Sequence, residues 1–346
     1  MTLVEGRGFL DQDYVRDERN IIYRVLGSVH PKGRVISFPK YVFTGKGTWM
    51  GYERLVKEYG VVNVYKALDE LKGKLIEYFV PDKVYNRKVF SVPEKRLVKR
   101  YLPESWPEAA KSRALDPLEE RALRLIRALS DVSGVPSDSF GVTGSLLLGI
   151  HNTSFSDINL VVYGEEEALS VKRSMIEGRV EGAGIRRLSE EEILKSAIRA
   201  SRSRSIPLPH SVKLYRFRWR KGVFEGRAFS ITPVPKPDEI TSTYGDMRFY
   251  PTVPITIKAK VVRDLSLFYP HVCEIGEVEV INGPEVYPIV SVISYEGLYS
   301  DVMIEGGIIE ARGLLQRVKE GGRTYYSVAV GVSEVEGGGY ILLLEP

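Results

Sequence analysis

The order of apolar and polar positions divides the chain into three stretches of different texture. In the first, residues 21–29 and 34–43 are β-like runs around the turn formers Pro31, Lys32 and Gly33, which predicts a hairpin with His30 at its turn. Val64, Leu68, Leu71, Leu75 and Tyr78 then recur at helical spacing, with Gly73 weakening the middle. Prolines at 81, 93, 103 and 107 interrupt the chain, and the basic segment 94–100 between them reads as a solvated helix face.

The second stretch opens with the clearest helix start. Asp116 is placed to cap, Pro117 takes the first helical position and Glu119 completes a capping-box spacing. Leu118, Ala122, Leu125 and Leu129 form one apolar stripe, which Gly134 stops. A strand at 140–143, a short helix at 146–150, a buried-type strand at 157–163 and a helix at 165–177 with an acidic first turn follow. A helix at 190–200 runs into a polar, basic loop at 201–205. In 212–220, Tyr215, Phe217 and Trp219 alternate with Arg216, Arg218 and Arg220, which predicts a half-buried strand. Residues 224–233 are expected to return as its partner after a turn at Lys221-Gly222.

The third stretch begins near Phe249. Runs at 255–262, 277–281, 287–294, 308–318, 324–330 and 340–344 read as short strands, and no helix pattern appears. Asn282-Gly283-Pro284 and Gly337-Gly338-Gly339 are the strongest turns between them. The expected fold is α+β: an N-terminal β/α region over 1–110, a central mixed sheet with helices over 111–248, and a small all-β barrel or sandwich over 249–346.

Composition changes this picture little. At 346 residues, 43% hydrophobic and 27% charged, the chain has the make-up of an ordinary globular protein with room for two or three cores. No run approaches the roughly 18 apolar residues of a membrane helix, and the first residues lack an export pattern. Cys273 is the only cysteine, which excludes a disulfide framework and cysteine-based zinc fingers. A cytoplasmic protein with no membrane partner is expected. The net charge of +4 is mild, and Gln12 and Gln316 are the only glutamines, a composition that leans towards a heat-adapted source.

Candidate chemistry concentrates in residues 141–163. A short apolar strand leads into Gly144-Ser145, and an eleven-residue spacer separates that pair from Asp157-Ile158-Asn159 on a second apolar strand. Glycine lets backbone amides approach phosphate oxygens, and the Ser145 hydroxyl adds a donor. Residues 157 and 159 are two apart on a strand, so both side chains lie on one face, where carboxylates would hold Mg²⁺. The same residues also read as a plain strand, turn and strand of some other α/β domain.

The motif resembles the signature of the polymerase-beta-like nucleotidyltransferase superfamily, whose pattern is Gly-Ser, a spacer, and Asp-X-Asp. The chain looks similar in particular to an uncharacterised archaeal group of predicted nucleotidyltransferases. There the motif follows a His-Pro-X-X-Arg-Val-Ile hairpin, matched here by His30, Pro31, Arg34, Val35 and Ile36. The resemblance extends over much of 20–240. It implies a central nucleotidyltransferase-like mixed sheet in which Gly144 and Ser145 contact a nucleoside triphosphate and Asp157 binds Mg²⁺.

Asn159 stands where a second carboxylate is expected. The strand at 224–233 carries none in 228–232, with Glu225 before it and Asp238 and Glu239 after it. Two functions therefore remain open. One is a metal-dependent nucleotidyltransferase that moves a nucleoside monophosphate from a triphosphate to an acceptor, with Asp157 and residue 159 at its catalytic centre. The other is a catalytically degenerate module of the same fold that binds nucleotide, RNA or a protein partner. For RNA, Arg216, Arg218 and Arg220, with Arg202 and Arg204, offer phosphate contacts.

Overall fold

The computed structural model describes residues 7–56, 60–204 and 206–346. The fold is mixed α+β, with three sheets and seven α-helices among the described residues. In chain order the first part contains β1 (Tyr14–Asp17), β2 (Ile21–Val25), β3 (Arg34–Gly47), β4 (Gly51–Arg54), α1 (Val61–Leu71), β5 (Phe79–Asp82), β6 (Arg87–Pro93) and β7 (Leu97–Tyr101). Then come α2 (Trp106–Lys111), α3 (Pro117–Ser133), β8 (Phe140–Thr143), α4 (Gly144–Leu148), β9 (Ile158–Tyr163), α5 (Glu165–Ile176), β10 (Ile185–Arg186), α6 (Glu190–Arg204), α7 (Leu208–Phe217), β11 (Lys221–Phe224) and β12 (Arg227–Val234). The last part is β13 (Met247–Leu265), β14 (His271–Asn282), β15 (Ile289–Ser294), β16 (Ile308–Glu320), β17 (Arg323–Val330) and β18 (Tyr340–Glu345).

These elements gather into two compact units. The first comprises Met1–Leu55, Val92–Ser189 and Trp219–Thr241. Its N-terminal strands pair antiparallel in the order β3-β2-β1-β7, with β4 folded back on β3. The expected hairpin is there: Arg34 N–H donates to Pro31 C=O at 3.1 Å, and Gly33 takes the left-handed φ of +74° that the turn needs. His30 is more than a surface turn residue. Its Nδ1 accepts the Ile36 N–H at 3.2 Å, and burial lowers its pKa to about 4. The basic segment expected as a helix face is instead a short 3-10 turn, Glu94–Arg96, followed by strand β7 on the edge of β1. Arg100 is drawn in by the buried carboxylate of Asp13, 2.9 Å away.

The second sheet of this unit runs β10-β11-β12-β9-β8, with β12 parallel to β9 and the other pairs antiparallel. Val142, Ile158, Leu160, Val161 and Val162 are wholly buried in it, which is why these strands read as near-continuous apolar runs. α3 packs on α5, and α5 lies against β9 and β12. The helix start at Asp116 forms as the spacing predicts. Asp116 Oδ1 accepts from Leu118 N and Glu119 N at 2.8 and 3.0 Å, and Glu119 answers by accepting the Asp116 N–H at 3.1 Å. A cap of this kind is worth about 1 kcal/mol. The helix stops at Gly134, φ +72°.

Three expectations for the region that follows need correction. The strand over 212–220 does not exist: Leu208–Phe217 is α7. Pro209 sits in its first turn, and Ser211 and Leu214, three apart, are buried, so helical spacing prevails over a short alternation of arginine and aromatic residues. The basic loop at 201–205 is, as far as Arg204, the last turn of α6, with Ser205 outside the described residues. The turn expected at Lys221-Gly222 is strand β11, and the reversal comes at Glu225-Gly226, φ +45° and +74°. Two left-handed residues match the twist of a tight hairpin.

The second unit comprises Val56–Ser91, Glu190–Arg218 and Ser242–Pro346. All six expected C-terminal strands are present as β13 to β18. β13 pairs with both β14 and β16, so the pairings run β13-β14-β15-β17-β16 and return to β13, while β18 adds to β16. Ile257, Cys273, Val292, Ile309, Val328 and Ile341 fill the interior, together with Ala200, Ile206 and Leu214 from α6, α7 and their connection. No described helix is long and apolar enough to cross a membrane.

Candidate functional site

β8 delivers the chain to Thr143 and Gly144 at one end of the central sheet of the first unit. Thr143 donates its hydroxyl to the Gln12 carbonyl at 3.0 Å, which ties this end to the N-terminal segment. Gly144 then turns the backbone with φ +72°. The conformation favours glycine, and a Cβ there would crowd Nδ2 of Asn159 at 3.2 Å.

Strand register brings the expected residues together. Thr143 on β8 and Ser230 on β12 both lie opposite Asn159 on β9. Asn159 Nδ2 donates to Asp157 Oδ1 at 3.1 Å, and Ser230 Oγ donates to Asn159 Oδ1 at 2.7 Å. The amide orientation follows from chemistry, because a carbonyl oxygen facing the Asp157 carboxylate would repel it. Thus Gly144, Asp157 and Asn159 meet at one sheet end, and the neighbouring strand presents a hydroxyl in the register where an acid was sought.

This donor set does not fit a two-metal centre. Mg²⁺ is usually held by one or two carboxylates together with substrate phosphates and water, so a pair of ions needs more than one acid. Among Thr143, Asp157, Asn159 and Ser230 only Asp157 carries a carboxylate, and the side-chain oxygen of Asn159 accepts from Ser230. Glu225, one of the acids flanking the strand, is bound to Arg121 and Arg124 at 3.2 and 2.7 Å in the hairpin turn. A second group, Asp116, Glu119 and His151, has ligand-capable atoms within 4.8 Å of one another. Those atoms already serve the α3 cap, the Arg113 ion pair at 2.5 Å and the His151–Asp116 contact at 2.6 Å.

The residues that the sequence did not reveal come from the N-terminal strands. Tyr14, Ile22, Tyr41 and Tyr52 form one buried cluster with Ile150, against which Trp49, Tyr101, Leu147 and Leu148 pack. That face of the β1–β4 sheet therefore lies on α4 and the residues just after it. Arg24 pairs in register with Tyr14, Arg54 with Tyr41 and Arg16 with Ile22, which puts three arginines on the same face. Lys40 emerges where the β2–β3 register shifts.

The Lys40 ammonium is 2.5 Å from the Tyr14 hydroxyl and 5.7 Å from the ring centre of Tyr41. Burial pushes its pKa down to about 8. Arg24 and Arg54 press in the same direction, while Tyr41 and Asp157 oppose them. Arg54 stacks 4.8 Å over Trp49, and Arg24 has Asp11 as an ion partner only at 3.9 Å. The Gly144 end of the sheet and this basic cluster are neighbours, since Leu147 and Leu148 of α4 pack on the Tyr14–Tyr41 cluster. The available signal was one lysine inside the apolar run 34–43.

The arginines at 216, 218 and 220 share no strand face. Arg216 is on α7 and pairs with Glu190 at 2.7 Å, Arg218 follows that helix, and Arg220 belongs to the first unit, stacked 5.0 Å over Trp219. Arg204 is likewise committed, to Glu296 at 2.6 Å.

No family model matches the chain, and no solved structure matches it. It is 26% identical over 332 residues to an uncharacterised protein of Methanocaldococcus jannaschii, MJ1086, an alignment that covers 93% of this chain and 95% of that protein. The chain is thus similar along nearly its whole length to an uncharacterised archaeal protein.

Proposed function

We propose that the protein is a nucleotide-binding module with the sheet of a nucleotidyltransferase and without its two-metal chemistry. Gly144, Ser145 and Asp157 mark the nucleotide end, as the motif resemblance implies. The observation that carries the reading is the clasp of Asn159 between Asp157 and Ser230, at 3.1 and 2.7 Å. Nucleotidyl transfer is driven mainly by positioning and by metal neutralisation of developing charge. A site with one carboxylate and two neutral side chains in the ligand positions retains the first and lacks the second. Its preferred ligand is a nucleoside triphosphate that is bound and released intact.

The test is a panel of nucleoside triphosphates incubated with the protein and Mg²⁺. Pyrophosphate release is followed alongside binding by calorimetry. Binding of a triphosphate without release of pyrophosphate is expected. Mg²⁺-dependent release of pyrophosphate that Asp157→Ala abolishes would establish an active transferase and overturn this reading.

A further inference from the structure

The basic cluster on the N-terminal sheet has no role in the motif, yet it lies beside it. Lys40 is only 9% exposed, and Tyr14 and Tyr41 beneath it are 1% and 0% exposed. Arg24 lies opposite Tyr14 and Arg54 opposite Tyr41, and the Lys40 ammonium is 2.5 Å from the Tyr14 hydroxyl and 5.7 Å from the Tyr41 ring centre, so three cations gather about one pair of rings. The Arg24 Nε is buried and has no hydrogen-bond acceptor among the described residues, a donor that ordinarily finds a partner. Guanidinium forks flanking an ammonium are matched to phosphate oxygens, which accept from both at once.

We propose that Arg24, Lys40 and Arg54 form a phosphate site that holds the polyphosphate chain of a nucleotide directly, with protein cations standing where other proteins use a bridging divalent ion. This deepens the function proposed above and rests on it. Gly144 and Asp157 mark where the nucleotide lies, and the sheet supplies the charge that the missing carboxylate–metal pair would have supplied. Three cations gathered about Tyr14 and Tyr41 suit a compact phosphate chain. A running nucleic-acid backbone needs an open groove.

The experiment titrates inorganic tripolyphosphate and ATP into the full chain, each in EDTA and in excess Mg²⁺. Calorimetry and tryptophan fluorescence are both recorded, since Trp49 stacks on Arg54. Both ligands should bind in EDTA and bind no better with Mg²⁺. Arg24→Gln and Arg54→Gln should each weaken tripolyphosphate by about tenfold or more, and Lys40→Met should do the same. If Lys40→Met fails to fold, the two arginine variants, at partly exposed positions, decide the matter.

A strict Mg²⁺ requirement, or wild-type affinity in both arginine variants, overturns the phosphate site. ATP binding that survives both arginine substitutions removes this inference and leaves the nucleotide reading standing. Tripolyphosphate binding that needs the arginines, with no competition from any nucleoside triphosphate, keeps the phosphate site and overturns the nucleotide as its ligand. A single-stranded RNA that outcompetes tripolyphosphate at the same residues overturns the choice of ligand.

Discussion

Restoring the carboxylate at residue 159 gives a sharp test of the site. Nδ2 of Asn159 lies 3.1 Å from Asp157 Oδ1 and donates to it. Asn159→Asp replaces that donor with a charged oxygen and turns an attraction into a repulsion. Two unit charges ~3 Å apart repel by about 1.4 kcal/mol at the dielectric of water and by about 5 kcal/mol at an effective value near 20. Asp157 is exposed, so the low end applies, to which the lost hydrogen bond adds about 1 kcal/mol. The expected destabilisation is about 2–3 kcal/mol near neutral pH. At ~2–4 °C per kcal/mol this lowers the first unit's thermal midpoint by roughly 4–12 °C.

The sign of the pH dependence follows from linkage. One carboxyl of the new pair must have a folded pKa raised above its unfolded value of about 4. The penalty is then complete above the folded value and disappears as pH falls towards about 4. Melting of wild type and variant across that range, by circular dichroism, should show the gap closing in acid. Millimolar Mg²⁺ should recover part of it in the variant and leave wild type unchanged. Equal stability at neutral pH, or a gap that widens in acid, would refute the clasp.

Two further predictions concern the scaffold. His30 is held neutral with a folded pKa of about 4, below its ordinary 6.5, so the stability it contributes is complete above about 6.5 and is lost as pH falls towards 4. Up to about 3 kcal/mol is at stake, and urea unfolding of His30→Gln should show a correspondingly shallower loss over that interval. In the second unit, Glu296 is 8% exposed, accepts from Arg204 at 2.6 Å and accepts the Val61 N–H at the start of α1 at 3.0 Å. Glu296→Ala strands a buried guanidinium and should cost about 3–5 kcal/mol by thermal unfolding, whereas the paired change with Arg204→Met should cost less.

The elements that sequence made legible are those whose signals are local. The α3 start at Asp116 was readable because one capping box and one apolar stripe both lie within four turns. The all-β region was readable because each strand carries its own alternation between turn formers. Where two local signals competed, the reading failed. Six residues of alternating arginine and aromatic side chains suggested a strand over 212–220, yet burial of Leu214 in the second unit's core made Leu208–Phe217 a helix. The Glu225-Gly226 reversal was hidden because glutamate seldom takes a positive φ.

The stretch 141–163 shows the same division at the site itself. The sequence alone determined the Gly144-Ser145 turn, the two flanking strands and the shared face of Asp157 and Asn159, because strand period and glycine geometry depend on neighbours in the chain. Only the tertiary structure decided what surrounds them. Ser230, 71 residues after Asn159 in the chain, faces it through a parallel strand register. Arg24, Lys40 and Arg54 reach the same region from strands that end well before residue 60. Charge acts through space, so a lysine in an apolar run reads as a curiosity until the fold sets it beside an aspartate and two arginines.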